Sequence, residues 1–438
     1  YDDFLIGAHL NDEGGVYGGQ VYLFFGKESG WSRFTNLSSA DASFIGSAYQ
    51  GLGKGLSGLG DVNGDGIDDF AIGAPNGYSY NGVTYVFFGN SGGWQMDMNM
   101  TNADVYYTGG YNNKLGETLT EVGDVNNDGY NDILIGSYDL TYGKAYLVLG
   151  RSSNWSSGSI SSKGLMFYSN EYNSGAGFVA GPGDVNGDGY DDILIGAPHS
   201  DPKGDSSAGQ TYLIFGKESG WSGTRYLSDS DASFTGEGSS QNSGYAVSKA
   251  GDMNGDGYAD FVIGAWGNDQ AGEDAGRTYV VLGKSGGWRM GFNLANADDY
   301  FTGENADDRS GYSVSGGGDV NGDGYDEVLI GAPNYEYSTT NNIGKAYLVY
   351  FYDQRTKTPD KPEFKLSGEG DYISISWRPI SHYSPFYYNI YRSEDGSTYN
   401  KIATLDEDIL QHQDLDVVIG NTYSYYITTS THEGFESR

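Results

Sequence analysis

The sequence predicts an all-β protein: a β-propeller of four-stranded blades followed by a C-terminal β-sandwich. Three observations carry this. The stretch "GDVNGDGYDDILIGAP" (183–198) has near-copies at 60–75, 123–138, 251–266 and 318–333. Each acidic cluster runs straight into an apolar, β-branched segment. The 71 glycines and 39 tyrosines suit many short strands joined by tight turns. Beyond residue 352 the repeat gives way to plain alternation of apolar and polar residues.

The clusters begin at Asp61, Asp124, Asp184, Asp252 and Asp319, spaced 63, 60, 68 and 67 residues apart. A period this long signals a repeat architecture. Each unit reads as four strands. A glycine-rich segment such as "GYSVSGGGD" (311–319) precedes the cluster, and "DILIGAP" (192–198) follows it. The third strand is "QTYLIFG" (210–216), matched by "QVYLFFG" (20–26), "VTYVFFG" (83–89) and "KAYLVLG" (144–150). The fourth is "ASFTGE" (232–237), echoed at 42–47, 105–110 and 299–304. Four strands per unit, arrayed several times, close naturally as a propeller. The glycine-rich strand then lies innermost, where strands converge on the axis and only small side chains fit. Trp31, Trp94, Trp155, Trp221 and Trp288 each follow a third strand and read as inter-blade anchors rather than sugar platforms. The first unit lacks its innermost strand and the sixth its fourth, so the repeat count alone leaves six or seven blades open.

Lys+Arg total 24 against Asp+Glu 59, a net charge of −35. That balance disfavours nucleic acid, whose phosphates need cationic partners, and suits cations or an extracellular setting. There is no cysteine, hence no disulfide. No apolar run approaches the roughly 20 residues needed to span a bilayer. The opening "YDDFLIGA" matches "YDDILIGA" (190–197), so the sequence begins inside a repeat and any signal peptide is expected upstream.

The loops themselves read as calcium sites. Numbered from the first Asp, oxygen donors fall at the first, third, fifth and ninth positions, and the seventh offers its backbone carbonyl. The five sets are Asp61, Asn63, Asp65, Ile67 and Asp69; Asp124, Asn126, Asp128, Tyr130 and Asp132; Asp184, Asn186, Asp188, Tyr190 and Asp192; Asp252, Asn254, Asp256, Tyr258 and Asp260; and Asp319, Asn321, Asp323, Tyr325 and Glu327. Alternating oxygen ligands about a glycine turn suit a hard cation of calcium size. Without one, carboxylates a few Å apart repel by several kcal/mol even at a moderate effective dielectric. Asn127 replaces glycine in the second loop, which Asn tolerates because it visits the left-handed region. A sixth loop is cut, with Tyr1 and Asp3 at its seventh and ninth positions.

The loop "DVNGDGYDD", the strand end "IGAP" and "TYLIFG" together resemble the FG-GAP repeat of integrin alpha-subunit propellers and their prokaryotic relatives, over residues 1–352. The resemblance implies a calcium-bearing propeller on a cell surface or in a matrix, usually of seven blades, with calcium ligands at the loop positions named above. An inserted ligand-binding domain and its "DxSxS" motif are absent, so integrin-style ligand binding is not carried over.

After a linker at 353–362, residues 363–438 resemble a fibronectin type III domain that lacks its last strand. Trp377 is the expected core tryptophan, and Tyr423 stands where a tyrosine corner would be.

The expected function is an extracellular adhesion, matrix or surface-assembly platform that is not an enzyme. Its partners would be proteins or glycans, or further copies of itself. The alternative is a calcium-dependent polysaccharide lyase or glycosidase, or the carbohydrate-binding part of one. No HExxH, nucleophile elbow or phosphate-binding glycine loop is present. His9 and His199 occupy equivalent positions and read as surface loop residues, beside His382, His412 and His432 elsewhere. Asn36, Asn99 and Asn154 head N-x-S/T sequons and are candidate glycosylation sites.

Overall fold

The computed structural model describes residues 1–438 apart from 33, 139–140, 323, 337–342, 351–363, 370–371, 378–385, 395–396, 407–408, 419–420 and 432–438. Asp323, the linker at 353–362, His382, His432 and the final stretch at 433–438 therefore lie outside the described residues. The chain forms two compact units, Tyr1–Phe351 and Tyr352–Arg438.

Unit one is a succession of six antiparallel sheets built as the repeat predicts. Sheet I holds Phe4–Ala8, Gln20–Phe24 and Ala42–Ile45; sheet II, Leu56–Gly60, Asp69–Ala74, Val83–Phe87 and Val105–Thr108; sheet III, Leu115–Glu121, Ile133–Ser137, Lys144–Val148 and Leu165–Tyr168. Sheet IV holds Phe178–Gly183, Asp192–Ala197, Gln210–Ile214 and Ala232–Thr235; sheet V, Ala246–Gly251, Asp260–Ala265, Arg277–Val281 and Asp299–Thr302; sheet VI, Ser313–Gly318, Glu327–Ala332 and Lys345–Val349. Strand order in each sheet is sequence order. The innermost strands of successive sheets lie beside one another, and those of sheets II–VI line an axial cavity of about 620 Å³. This is the arrangement of propeller blades.

One feature is absent from the sequence reading. Sheets I–IV each gain a short outermost strand from the following unit: Met98–Asn99, Gly158–Ser159, Thr224–Tyr226 and Phe292–Asn293, the fourth strand of sheet I and the fifth of sheets II–IV, each parallel to the strand it covers. It hides an otherwise open sheet edge and clasps each blade to its neighbour.

The core consists of apolar clusters between successive sheets. Between III and IV, Leu147 and Phe167 meet Ile193, Ile195 and Tyr212. Trp221 packs on this cluster, and Trp94, Trp155 and Trp288 pack on the corresponding ones. Each of Trp31, Trp155, Trp221 and Trp288 donates its indole N–H to the carbonyl of a Lys or Arg four residues earlier. The cation of that same residue lies over the ring, 4.4–5.5 Å from its centroid. Trp155, Trp221 and Trp288 are thus inter-blade anchors with one face already taken, whereas Trp31 is exposed and meets Phe4 of its own sheet. The glycine of "IGAP" has its own reason: a Cβ on Gly196 would overlap the carbonyl oxygen of Gly244 in the next sheet.

Unit two has two three-stranded sheets. One pairs Phe364–Glu369 with Tyr372–Trp377 and that with Gln411–Asp414; the other places Phe386–Ser393 between Asn400–Asp406 and Ser424–Thr431. Trp377, buried, stacks edge-on to Tyr388 at 5.2 Å over Ile375, Ile390 and Ile427. The Tyr423 hydroxyl accepts the Val418 N–H at 2.9 Å.

Candidate metal centres

Each acidic loop joins the innermost strand of a sheet to the second, and the same hydrogen bonds recur in each. In the third loop, Asp184 accepts the N–H groups of Gly187, Asp188 and Gly189 at 2.7, 3.1 and 2.8 Å. Asn186 Oδ1 accepts from Asp188 N at 2.8 Å, and Asp188 Oδ1 from Tyr190 N at 3.1 Å. These Asx turns wind the backbone tightly around the first carboxylate. Loops one, two and four repeat them at Asp61, Asp124 and Asp252. Asp319 holds Gly322 and Gly324 likewise.

The ninth-position acid differs in kind. Asp69, Asp132, Asp192, Asp260 and Glu327 are all at most 2% exposed. In the four Asp loops one oxygen accepts the second-position N–H, from Val62, Val125, Val185 or Met253. The other accepts the N–H of the glycine closing the third strand: Gly89, Gly150, Gly216 or Gly283, at 2.7–2.9 Å. Asp3 holds Gly26 in the same way. The glycine after each of these third strands, in "FG" at 88–89 and 215–216 and in "LG" at 149–150 and 282–283, is therefore a partner of the loop, a signal visible in the sequence that the ligand count passed over. Glu327, one methylene longer, accepts from Val320 N at 2.8 Å and from the Asn321 amide at 2.9 Å.

Burial has an electrostatic consequence. Desolvation pushes the Asp132 and Asp192 carboxyls up to about 8, Asp260 to about 7 and Asp69 to about 6, and the first- and fifth-position carboxylates of the same loop push further the same way. The two backbone N–H bonds pull each back only in part. The side-chain donors are all oxygens, most of them anionic, and the buried Asp of the ninth position is held by backbone N–H groups rather than by a cation. That chemistry fits a hard divalent cation. The first-, third- and fifth-position side chains are turned onto backbone N–H groups, and among the described residues no three Asp, Glu, His or Cys side chains converge as a ready-made metal set.

The seventh and eighth positions link neighbouring loops, which the ligand reading did not anticipate. The rings of Tyr130, Tyr258 and Tyr325 cover Gly64, Gly187 and Gly255 of the preceding loop so closely that a Cβ there would overlap them. Asp191 Oδ2 accepts Asp124 N at 2.8 Å, and Asp326 Oδ2 accepts Asp252 N at 2.9 Å. Asn131 instead donates to Leu59 O, and Ala259 uses its backbone N–H on Asp184 O. Asn127 takes a left-handed φ of 56°.

The remaining candidates are dispersed. His9 is exposed, whereas His199 is half-buried against the Tyr138 ring, and burial lowers its pKa. That corrects the surface-loop reading of His199. His412, also half-buried, sits on a strand of unit two and is likewise lowered by burial. The three sequon asparagines are exposed. Asn36 and Asn99 cap short 3₁₀ turns, Asn99 as the last residue of an edge strand rather than in a loop.

The FG-GAP repeat family matches residues 56–87, 176–214, 243–281 and 310–349. The unit between them, 115–148, has the same geometry with Asn127 as its departure. The chain is 30% identical over 221 residues to integrin alpha pat-2 of Caenorhabditis briggsae, covering 47% of this chain and 17% of that protein. It is 32% identical over 165 residues to integrin alpha-PS2 of Drosophila melanogaster, 36% of this chain and 11% of that one. It is 27% identical over 172 residues to human integrin alpha-7, 38% of this chain and 13% of that one. The match thus spans less than a fifth of these relatives' own length. A solved structure of pectate lyase PelI from Erwinia chrysanthemi superposes with a TM-score of 0.17 at 19% identity, over 18% of this chain and 27% of its own, and carries no weight. Four segments of the chain match the FG-GAP repeat family, and up to about half of its length is similar to integrin alpha chains.

Proposed function

We propose that the chain is an extracellular, calcium-stabilised interaction platform of the adhesion or matrix type, without catalytic activity. The observation that carries this is the ninth-position carboxylate. It recurs buried in all five loops, and in the four Asp loops it feels the first- and fifth-position carboxylates and accepts two backbone N–H groups. A bound calcium ion would supply the missing positive charge and lock the turn between two strands. Asp61, Asn63, Asp65 and Asp69 and their counterparts would hold it, with the seventh-position carbonyl of Ile67, Tyr130, Tyr190, Tyr258 or Tyr325. Millimolar calcium is the extracellular condition, and modules of this ligand type bind with Kd of roughly 10⁻⁴–10⁻³ M.

Likeness to integrin alpha chains supports the surface role, and the described residues hold no helix long and apolar enough to cross a membrane. The propeller, of seven blades by analogy, would present the interaction surface. Unit two reads as a fibronectin type III-like spacer, supported by the Trp377 core, the two three-stranded sheets and the Tyr423 corner. Asn36, Asn99 and Asn154 would carry glycans.

Calorimetric titration of the full chain with calcium tests the metal reading: heat saturating at several ions per chain is expected, and none at millimolar calcium overturns it. A screen against polysaccharides with and without calcium tests the non-catalytic reading. Calcium-dependent turnover abolished by one point substitution would replace it with the lyase or glycosidase alternative.

A further inference from the structure

On the rim of sheet III four tyrosine rings touch in succession. Tyr172 meets Tyr142 at 5.6 Å between centroids, Tyr142 meets Tyr168 at 5.5 Å, and Tyr168 meets Tyr226 at 6.0 Å. They come from three places in the fold. Tyr142 lies in the loop before the third strand and Tyr172 in the loop after the fourth. Tyr168 and Tyr226 form a rung between the fourth strand and its parallel cover strand.

The repeat supplies its own control for what this cluster is for. The rung equivalent to Tyr168–Tyr226 is Ile45–Asn99 in sheet I, Thr108–Ser159 in sheet II and Thr235–Asn293 in sheet IV. The position of Tyr142, two residues before the third strand, holds Gly18, Asn81, Ala208 and Ala275 elsewhere. Sheet I has only a smaller pair nearby, Tyr17 and Tyr49, at 6.4 Å. Sheets I, II and IV carry no aromatic pair on the equivalent rung, so the fold does not require one there. Nor does the core below, where Leu165 and Phe167 are the buried residues of the same strand. Tyr142 is 37%, Tyr226 49% and Tyr172 68% exposed. Among the described residues from 112 to 289 these three are the only exposed large apolar side chains, and all three stand in this one cluster.

We infer that this tyrosine ladder is a binding site for a neutral polysaccharide, stacked through its pyranose rings. It names a partner class for the surface platform proposed above and rests on that reading. A pyranose offers a face of C–H groups, apolar and slightly positive, to the negative face of an aromatic ring, while its hydroxyls stay at the polar rim. The surroundings suit that ligand. The rings carry phenol hydroxyls, and Asn170, Asn173 and Thr141 are their near neighbours along the chain. A protein partner would need a dry core and about 800 Å² per side, yet no exposed aliphatic side chain extends the patch among the described residues. The cation over the ladder is Lys144, 5.9 Å from the Tyr168 ring centroid, and a single charge is a weak anchor for a polyanion. The net charge of −35 opposes it further.

The test is native affinity electrophoresis of the full chain in calcium, through gels containing a mixed-linkage β-glucan, xyloglucan, galactomannan or an α-glucan, with polygalacturonate as the anionic arm. Retardation by at least one neutral polysaccharide is expected. Tyr172→Ala and Tyr226→Ala should each weaken it about three- to tenfold, the worth of one good ring contact. Tyr111→Ala, on a lone tyrosine 91% exposed on another blade, should leave it unchanged. Melting curves of the variants in calcium should match the parent, since the rings lie outside the core. Retardation by none of the neutral polymers, by polygalacturonate alone, or to the same degree in both variants overturns the inference. So does a variant that lowers the melting temperature of a chain no polymer retards, which would make the ladder a packing feature. Attachment of the chain to matrix-coated surfaces that persists in the double variant would leave the platform reading standing and remove this one.

Discussion

The two units bury acids in opposite ways. In unit two Asp414 is 4% exposed, and the chain supplies its counter-charge. Arg392 Nη1 donates to both its oxygens at 3.0 Å, and the Tyr425 hydroxyl donates at 2.8 Å. In unit one Asp132, Asp192 and Asp260 are buried as deeply, with only backbone N–H groups and other carboxylates around them. Desolvating an unpaired carboxylate costs several kcal/mol. The sandwich contains its own neutralising group, whereas the propeller acids are neutralised by a proton or, on the reading proposed above, by a metal ion. One unit should therefore respond to solution conditions that leave the other unmoved.

The largest expected effect is that of calcium. On the proposed reading each loop would gain about 0.5–1.5 kcal/mol at millimolar calcium by mass action, so five loops together would supply several kcal/mol. That is comparable to the whole net stability of a domain, about 5–15 kcal/mol. In calorimetry of the full chain, chelator should lower the propeller transition by many degrees and leave that of unit two in place. Two transitions that shift together, or a propeller transition indifferent to chelator, would erase the contrast.

The dependence on pH sharpens it. The ninth-position carboxyls stand at about 6 to about 8 against an ordinary 3.8. The folded state therefore binds protons that the unfolded state releases. The stability these groups contribute is fully present below pH about 4 and is lost as pH rises through about 6–8. In chelator the propeller should lose stability between pH 5 and pH 8.5, read by denaturant melts at fixed ionic strength, with about 1.4 kcal/mol per unit of pH as the ceiling for each titrating group. In calcium the ion replaces the proton and the slope should flatten or reverse. A chelated propeller that gains stability with rising pH would contradict the electrostatics of all four loops.

Much of this was legible in the sequence because the repeat aligns the chain with itself. Strand order, loop placement and the role of Trp155, Trp221 and Trp288 follow from what is constant between units. What escaped was what varies, or what is very short. Cover strands of two or three residues, such as Gly158–Ser159, have no room for a period-two pattern. The eighth loop position holds Asp68, Asn131, Asp191, Ala259 and Asp326 in turn. At four of them the clasp on the previous loop is made by an amide, a carboxylate or a backbone N–H, a task that side-chain identity does not reveal. The pairing of the ninth-position acid with the glycine that closes the third strand was present in the sequence but spans some twenty residues, and only the closed sheet brings the two together.

A smaller effect should appear in unit two alone. Arg392→Met removes the guanidinium from Asp414 and strands a buried carboxylate beside Tyr425. Breaking such a pair costs about 2–3 kcal/mol here, the lower part of the usual range because Arg392 keeps some contact with solvent. For a domain of this size that lowers the melting temperature by about 10 °C or more. The propeller transition should not move in calcium or in chelator. A loss below about 0.5 kcal/mol would mean that Asp414, too, is content with hydrogen bonds alone, and the contrast between the units would fail from the other side.

The smallest effect isolates one loop. Asp188 is exposed, and its removal takes away one anionic donor and one repulsive neighbour of Asp192. In chelator these consequences oppose each other. Asp188→Ala forfeits the bonds from Tyr190 N and the Asn186 amide, yet it relieves the crowded carboxylates, so the net change should stay within about 0.5 kcal/mol, as for most surface substitutions. In calcium only the loss remains, because a site deprived of a charged ligand binds too weakly to be filled. The variant should then forgo about 0.5–1.5 kcal/mol of calcium-linked stabilisation, one loop's share. The other loops lie in other blades and should keep theirs, apart from loop two, whose first-position N–H is held by Asp191. The readout is the difference between calcium and chelator melts for parent and variant, with calcium stoichiometry measured beside it. One ion fewer and a correspondingly smaller calcium shift is the expected result. Equal destabilisation in both solutions would show that Asp188 serves the turn and not a metal ion.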